Sequence, residues 1–308
     1  MLWHKLWKLL KLRWRTDMKT NLIVDLNNIT FITRHKVIKG SQKNNYFVKE
    51  FIFREVLNNI LKTAKKLKVD GIVITSDRKK VWRKDIYPSY KENRTGSIDD
   101  KFYDDTIQAI DMLKDFFTTK TSAYVLSVER TEADDIIAYW CKNSENVKNI
   151  ILSSDKDFVQ LLDGRTSLYN PMKGEFRESE DAEFDLFLKC IRGDSSDAIR
   201  SAYPRIRTTK LKEAWEDEYK KLNLFEHVRP DGVKVGDAYD LNKQLIDLTM
   251  QPDYIKEAIR NVIESYEPSS YMQLGAMKYL SDIGLKNTSA IFEFKDGPIS
   301  KPPVFDNK

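Results

Sequence analysis

Two acid-rich stretches, Arg-Thr-Glu-Ala-Asp-Asp at residues 130–135 and Ser-Ser-Asp-Lys-Asp at residues 153–157, carry five carboxylates between them. The second stretch directly follows the apolar run at residues 149–152, which is typical of a buried strand. Asp25 likewise ends the run Leu-Ile-Val-Asp, and Asp77 ends the run Ile-Val-Ile-Thr-Ser-Asp. In an open α/β sheet, ligands bind in the crevice beyond the carboxyl ends of the strands, so these acids are expected to converge there.

The sequence around these stretches alternates short apolar runs with amphipathic segments. Strands are predicted at residues 22–26, 71–75, 123–126 and 150–152, and helices at residues 46–67, 98–117, 132–141 and 156–162. This βαβ alternation predicts an α/β fold with a mainly parallel central sheet flanked by helices.

Strand signals fade after about residue 180. The later chain has helical spacing at residues 182–192, 209–222, 243–248, 255–265 and 272–280. We therefore predict an α/β domain at residues 21–180 and a smaller, mostly helical domain at residues 181–308. The proline-containing tail from Asp296 is expected to be extended or mobile.

The first 20 residues form a basic, amphipathic leader. They hold six Lys or Arg and one acid, whereas the other 288 residues hold 46 basic and 46 acidic side chains. One interpretation is a segment that lies on a membrane surface or a nucleic acid. The other is a non-native or disordered extension of a protein that begins at Met18. Lysines interrupt its apolar residues, which argues against a signal peptide.

Composition excludes several classes of protein. A hydrophobic content of 41% supports a packed core, so this is not a disordered chain. The two cysteines, Cys141 and Cys190, provide no disulfide framework and fit a reducing compartment. No run of eighteen apolar residues predicts a membrane span. We expect a monomer in the cytoplasm.

Each acid has a structural explanation when it is considered alone. Glu132, Asp134 and Asp135 follow Thr131, a plausible N-cap, and acids in a first turn favour the helix dipole. So many converging carboxylates repel each other, however, unless cations neutralise them. Hard divalent cations prefer oxygen ligands, and carboxylates without His or Cys suit Mg²⁺ or Mn²⁺ better than zinc. Two ions roughly 3.5–4 Å apart would stabilise a phosphodiester displacement.

A basic, aromatic stretch begins at one of these acids. Residues 78–94 hold seven Lys or Arg, two acids and three interleaved aromatic residues. A charge run alone is usually a solvated face, but one that starts at a candidate metal ligand suits phosphate contacts and base stacking. The candidate nucleic-acid contacts in this stretch are Arg78, Lys79, Trp82, Tyr90 and Lys91.

Six blocks of the chain resemble, in order, the 5′-nuclease (flap endonuclease) superfamily, which includes bacterial DNA polymerase I 5′-nuclease domains and phage 5′-exonucleases. The blocks are Ile-Val-Asp at 23–25, Ser-Asp at 76–77, Trp-Arg-Lys-Asp-Ile-Tyr-Pro-Ser-Tyr-Lys-Glu-Asn-Arg at 82–94, Thr-Glu-Ala-Asp-Asp at 131–135, Ser-Ser-Asp-Lys-Asp at 153–157 and Gly-Asp-Ser-Ser-Asp at 193–197. The layout is most similar to the T4-type phage ribonucleases H, which remove RNA primers. The resemblance implies a PIN-like α/β fold.

The resemblance implies a role for each matching residue. The ligands of a first metal would be Asp25, Asp77, Glu132, Asp134 and Asp155. An outer group for the second metal would be Asp135, Asp157, Asp194 and Asp197. The scissile phosphate would contact Arg83 or Lys84 and Arg94, and Tyr87 or Tyr90 would stack near the displaced end. Residues 95–102 would begin the arch through which the 5′ strand passes in this family.

One segment departs from the family. After Gly-Asp-x-x-Asp the family usually has a glycine-containing helix–turn–helix that grips duplex DNA with a monovalent cation. Residues 199–212 contain no Gly-x-Gly, so that cation site is in doubt. They contain no acids either, and phosphate contacts are expected from Arg200, Arg205, Arg207, Lys210 and Lys212.

The resemblance therefore implies a metal-dependent 5′-to-3′ nuclease acting on 5′ ends or flaps of DNA and RNA–DNA hybrids, with Mg²⁺ as cofactor. A sliding clamp and a single-stranded DNA-binding protein are the protein partners it implies. Two alternatives stay open. A PIN-type ribonuclease shares the sheet but has fewer acids, and a catalytically silent junction-binding protein would have no use for nine carboxylates beside a phosphate path.

Overall fold

The computed structural model describes residues 18–41, 48–93, 102–270 and 273–284. The predictions for the leader, for Arg94, for residues 95–101 and for the C-terminal tail lie outside the described residues.

A six-stranded sheet forms the centre of the molecule. Its strands are β1 (Lys19–Asp25), β2 (Gly71–Thr75), β3 (Tyr124–Leu126), β4 (Val147–Leu152), β5 (Thr166–Asn170) and β6 (Glu175–Arg177). The spatial order is β3-β2-β1-β4-β5-β6. All neighbours are parallel except β5 and β6, which pair as an antiparallel edge. The prediction of a mainly parallel α/β sheet is confirmed.

Helices flank the sheet and continue beyond it. They are α1 (Leu26–Ser41), α2 (Val48–Leu67), α3 (Arg83–Ile86), α4 (Tyr103–Lys120), α5 (Ala133–Asn143), α6 (Ala182–Arg192), α7 (Thr208–Glu216), α8 (Glu218–Glu226), α9 (Val235–Ile246), α10 (Asp253–Ser265) and α11 (Gln273–Asp282). Two 3₁₀ segments, Lys156–Leu161 and Ser195–Asp197, follow acid-containing loops. None of the described helices is long and apolar enough to cross a membrane.

Helices cover both faces of the sheet. Successive strand residues point to opposite sides, so each central strand contributes side chains to two cores. Leu22 and Val24 of β1 face a core formed with α2 and α4. Ile23, between them, faces a second core formed with α5 and α10. All three side chains are fully buried. The central strands therefore contain apolar runs, Leu-Ile-Val at residues 22–24 of β1 and Ile-Ile-Leu at residues 150–152 of β4, directly before the polar groups at their carboxyl ends.

Several elements differ from the prediction, including the short helix α3, which was not predicted, and helix α9, which begins at Val235 and not at residue 243. Helix α1 and strands β5 and β6 were not predicted, since α1 mixes polar and apolar residues around its surface and the two strands are short. The predicted single helix at residues 209–222 is two helices. Asp217 separates them, because its carboxylate accepts hydrogen bonds from the amides of Tyr219 (2.9 Å) and Lys220 (3.1 Å) and so begins α8.

The C-terminal helices return to the α/β unit. Ile255, Ile259 and Ile263 of α10 pack in the same core as α5, and Leu280 of α11 packs in the core of α2 and α4. Helices α6 to α9 share their own apolar cluster. The helical part is therefore closely joined to the sheet, and its division at residue 180 stays a prediction.

Candidate active site

The acids predicted as metal ligands lie at one edge of the sheet. Asp25 is the last residue of β1, and Asp77 and Asp155 follow β2 and β4. Because these strands are parallel, their carboxyl ends open onto one cavity of about 990 Å³. Eight of the nine predicted ligands line it: Asp25, Asp77, Glu132, Asp134, Asp155, Asp157, Asp194 and Asp197. The structure brings these residues together, and their role as ligands stays a prediction.

Backbone amides at the starts of helical segments orient three of these carboxylates. Asp25 accepts a hydrogen bond from the amide of Asn28 in α1 (3.1 Å), and Asp77 accepts one from the amide of Ala133 in α5 (2.8 Å). Asp155 accepts one from the amide of Asp157 (2.9 Å). These positions place each acid at the positive end of a helical segment.

The inner carboxylates lie close enough to oppose each other's ionisation. Burial, then the neighbouring Asp77 and Asp155, raise the pKa of Asp25 to about 7, although Asn28 and Ser153 donate hydrogen bonds to it. Burial, followed by Asp25 and two further acids, raises the pKa of Asp134 well above its usual range. No hydrogen-bond donor among the described residues reaches the Asp134 carboxylate. The charge of Lys91 offsets this repulsion only in part, so the centre of the cavity keeps unbalanced negative charge.

The donor set fits a divalent cation chemically, because hard oxygen ligands with unbalanced charge converge there. The described residues nevertheless hold no group of three or more Asp, Glu, His or Cys already arranged around one point. Two lysines account for part of this difference. Lys91 pairs with Glu132, and Lys189 pairs with Asp157 and Asp194. Ion binding would require these side chains to move.

We expect the metal-free protein to become less stable as the pH rises through neutrality. The folded-state pKa of Asp25, about 7, lies above its ordinary value of 3.8, so the folded state holds more protons between these pH values. Stability then falls as the pH rises over this window, by at most about 4 kcal/mol for a shift of this size. Thermal denaturation in EDTA at pH 5.5 and pH 8 measures this change. An equal or higher melting temperature at pH 8 would contradict it.

Arg83 forms the centre of a buried network behind the cavity. Its guanidinium lies 2.9 Å from Asp135 and 3.2 Å from Glu132, with only 1% of the Arg83 side chain exposed. The Trp82 indole N–H donates to Asp135 (3.1 Å), and the Tyr90 hydroxyl donates to Glu132 (2.9 Å). This network fixes the start of α5, which carries Glu132, Asp134 and Asp135.

The structure places four of the predicted site residues behind the cavity lining and not in it. Trp82 and Tyr90 are 0% and 3% exposed, so neither can stack on a nucleic-acid base. Arg83 cannot reach a scissile phosphate, because its guanidinium is enclosed by the two acids. Asp135 is 0% exposed and does not line the cavity, since its carboxylate is used by Arg83, Trp82 and the amide of Glu132. All four residues support the site from behind.

Among the described residues of the basic stretch, Lys91 enters the cavity. Its ammonium pairs with Glu132 and lies 4.0 Å from Asp197. Its amide donates to the Asp197 carbonyl (2.9 Å), and its φ of 56° turns the chain toward the cavity. The predicted catalytic residues Lys84 and Tyr87 do not line the cavity: Lys84 is exposed, and the Tyr87 hydroxyl donates to the carbonyl of Ala198 (3.2 Å).

Other predicted nucleic-acid contacts lie on the surface. Arg78 and Lys79 are exposed, and Arg78 pairs with Glu129 at 3.5 Å. The five cations of the segment before and within α7 are also exposed and lie outside the cavity lining: Arg200, Arg205, Arg207, Lys210 and Lys212. Their exposure permits the phosphate contacts predicted for them.

A basic wall, composed of Lys156, Arg177, Lys189 and Arg192, lines the cavity beside the acids and was not predicted. Within the described part of the chain, Lys156, Arg177 and Arg192 have no carboxylate at ion-pair distance. Arg192 donates to the Thr208 hydroxyl at 2.5 Å. Arg177 comes from a segment without a predicted element, and Lys189 and Arg192 come from an ordinary amphipathic helix. Only the convergence of these residues in space identifies them.

An acid-lined cavity thus lies at the carboxyl edge of this parallel sheet, with cations at its border. Residues 20–186 match the family described as 5′-3′ exonuclease, N-terminal resolvase-like domain. The chain belongs to this family.

Individual relatives agree with this assignment. Over 96 residues the chain is 32% identical to DNA polymerase I of Rhizobium leguminosarum, a match that covers 30% of this chain and 9% of that protein. A bacteriophage T5 protein co-crystallised with metal ions shares the fold, with a TM-score of 0.62 and 17% identity over 87% of this chain and all of that one. A bacteriophage T5 flap endonuclease in a product complex with DNA and metal ions has a TM-score of 0.60, with 18% identity over 86% of this chain and 98% of that one.

Proposed function

We propose that this protein is a divalent-metal-dependent 5′-to-3′ nuclease that hydrolyses phosphodiesters at the 5′ ends or flaps of DNA and RNA–DNA duplexes. The observation that carries this proposal is the convergence of eight carboxylates on one cavity whose central acid, Asp134, has no donor among the described residues. Such a charge distribution suits bound cations better than it suits an empty pocket. Removal of RNA primers during phage-type replication, in the cytoplasm, is the biological role we propose.

The acids and Lys91 would have different roles at the cleaved bond, the acids binding the ions and Lys91 contacting the phosphate. A pair of Mg²⁺ or Mn²⁺ ions supplies positive charge for the attacking and leaving oxygens of a phosphodiester displacement. Asp25, Asp77 and Asp155 would hold these ions, since helix-start amides already fix their orientation. The Lys91 ammonium, on leaving Glu132, would contact the scissile phosphate and stabilise its developing charge.

The basic wall gives the substrate strand a path past the acids. Lys156, Arg177 and Arg192 line the same cavity as the acids. None of the three forms an ion pair with a carboxylate of the described residues. A phosphodiester backbone that passes the acidic centre would therefore find cations along its course, which fix its register without reading sequence. The bacteriophage T5 relative in complex with DNA supports a nucleic-acid ligand. A sliding clamp and a single-stranded DNA-binding protein remain proposed partners.

We expect purified protein with Mg²⁺ to release short 5′ products from a 5′-labelled flap duplex and from an RNA–DNA hybrid with a 5′ end. EDTA should abolish this release, because the carboxylates cannot perform the displacement without cations. The relative rates on the two substrates measure the preference for RNA or DNA. Cleavage of plain single-stranded RNA at a rate equal to that of the flap would favour the PIN-type alternative. Binding without cleavage under Mg²⁺ and Mn²⁺ would leave a structure-specific binding protein.

A further inference from the structure

Lys189, in the last turn of α6, places its ammonium between two acids of the cavity. Its Nζ lies 2.8 Å from Oδ2 of Asp194 and pairs more closely with Oδ2 of Asp157. The two acids come from different elements, the 3₁₀ segment at Lys156–Leu161 and the loop before Ser195–Asp197. Lys189 thus joins two segments of the site by pairing with an acid from each.

Both oxygens of the Asp194 carboxylate already have partners while Lys189 is in place. Its Oδ1 accepts hydrogen bonds from the amide (2.8 Å) and hydroxyl (2.6 Å) of Ser196. Its Oδ2 faces the Lys189 ammonium at 2.8 Å. A cation that bound Asp157 and Asp194 together would therefore compete with an ammonium already located between them.

The inner acids present the opposite arrangement. Asp134 has no hydrogen-bond donor among the described residues, and the lysine nearest to this group, Lys91, pairs with Glu132. Lys91 offsets the inner repulsion only in part, because the pKa of Asp134 stays raised in its presence, whereas a cation at the outer acids must first replace an ammonium located between them. The two halves of the cavity should consequently bind cations with different affinity.

We propose that Lys189 is a positioning residue that acts as a built-in counter-ion: it holds Asp157 and Asp194 in place without metal and must be displaced before a cation binds them. This inference rests on the metal-dependent function proposed above for the same cavity. It makes occupancy of the outer acids the weaker and later of two binding steps. The Lys189 side chain is 21% exposed, so it can swing toward solvent when it is displaced.

The test is a titration of the full-length protein with Mn²⁺, without nucleic acid, in which free Mn²⁺ is followed by electron paramagnetic resonance. We expect the wild type to show a tight and a weak step. Lys189→Met should tighten the weak step by about tenfold and leave the tight step unchanged, because competition with a cation is reciprocal. Lys189→Arg, which keeps the charge, should behave like the wild type. Lys173→Met is the matched control, since Lys173 pairs with Glu175 outside the cavity.

Thermal denaturation in EDTA provides a second measurement on the same variants. Lys189→Met should lower the metal-free melting temperature, because it leaves Asp157 and Asp194 without their counter-ion, and saturating Mn²⁺ should restore it. A weak step that stays within twofold of the wild type, or that shifts equally in Lys173→Met, would overturn the proposal. The proposed nuclease function can fail separately, since neither measurement depends on cleavage.

Discussion

Replacing Asp134 with asparagine should lower the Mg²⁺-dependent cleavage rate by at least about a hundredfold, the scale on which a single electrostatic group acts in such sites. Asparagine has nearly the same size but no charge, so it removes the carboxylate from the centre of the inner acid group. Single-turnover cleavage of the 5′-labelled flap duplex, with enzyme in excess, measures this loss without a contribution from product release.

The same substitution should not destabilise the metal-free protein. Asp134 accepts no hydrogen bond from the described residues, and its pKa is raised by burial and then by Asp25, so the charged form is already disfavoured. A melting temperature in EDTA that equals or exceeds that of the wild type is therefore expected. Loss of activity together with gain of stability separates a functional acid from a structural one.

Asp253→Asn is the control for this prediction, because Asp253 also lies in the first turn of a helix but is fully exposed, on α10. It should change neither cleavage nor melting temperature measurably. Full cleavage activity in Asp134→Asn would remove Asp134 from the proposed site. A large drop in its metal-free melting temperature would instead show that the carboxylate has a structural partner.

The position of the acids could be predicted from the sequence because it follows from two local patterns. An apolar run that ends in a carboxylate predicts a buried strand with an acid at its carboxyl end. Parallel pairing brings such carboxyl ends to one edge of the sheet. Asp25, Asp77 and Asp155 all obey this pattern. Nothing beyond the alternation of strands and helices was needed to place them.

The roles of the basic and aromatic residues could not be predicted in the same way. Trp82, Arg83, Tyr90 and Lys91 belong to one stretch, yet three of them are buried behind the acids and one enters the cavity. Their direction is set by contacts with distant segments, such as the bond from the Arg83 Nε–H to the Leu245 carbonyl (2.9 Å). A run of charged residues in the sequence does not reveal contacts with distant segments, and its usual interpretation is a solvent-exposed face.

Lys189 was missed for a related reason. It lies on an amphipathic helix whose exposed face commonly carries lysine, so its presence in the sequence is unremarkable. Asp194 follows that helix directly, but Asp157 comes from a distant element, and only the tertiary structure brings both acids to the Lys189 ammonium. Counter-ions supplied across elements require the tertiary structure.

Arg83→Met should produce the largest loss of stability, about 3–5 kcal/mol in the free energy of unfolding. The substitution leaves the fully buried Asp135 carboxylate without its main partner and removes one of the two cations that pair with Glu132. It also breaks the bond to Leu245 that ties α3 to the end of α9. Urea denaturation in EDTA at neutral pH, followed by tryptophan fluorescence and circular dichroism, measures the change.

Two further variants test whether the unpaired charge causes this loss. Lys84→Met, at the neighbouring exposed position, should stay within about 0.5 kcal/mol of the wild type. The double variant Arg83→Met with Asp135→Asn should recover part of the loss, because it removes the fully buried carboxylate together with its partner. The single variant Asp135→Asn gives the reference cost of losing that carboxylate alone. If adding Asp135→Asn to Arg83→Met lowered the free energy of unfolding by the same amount, the two residues would be energetically independent. The buried pair would then not be what holds the start of α5, and with it Glu132 and Asp134, against the cavity.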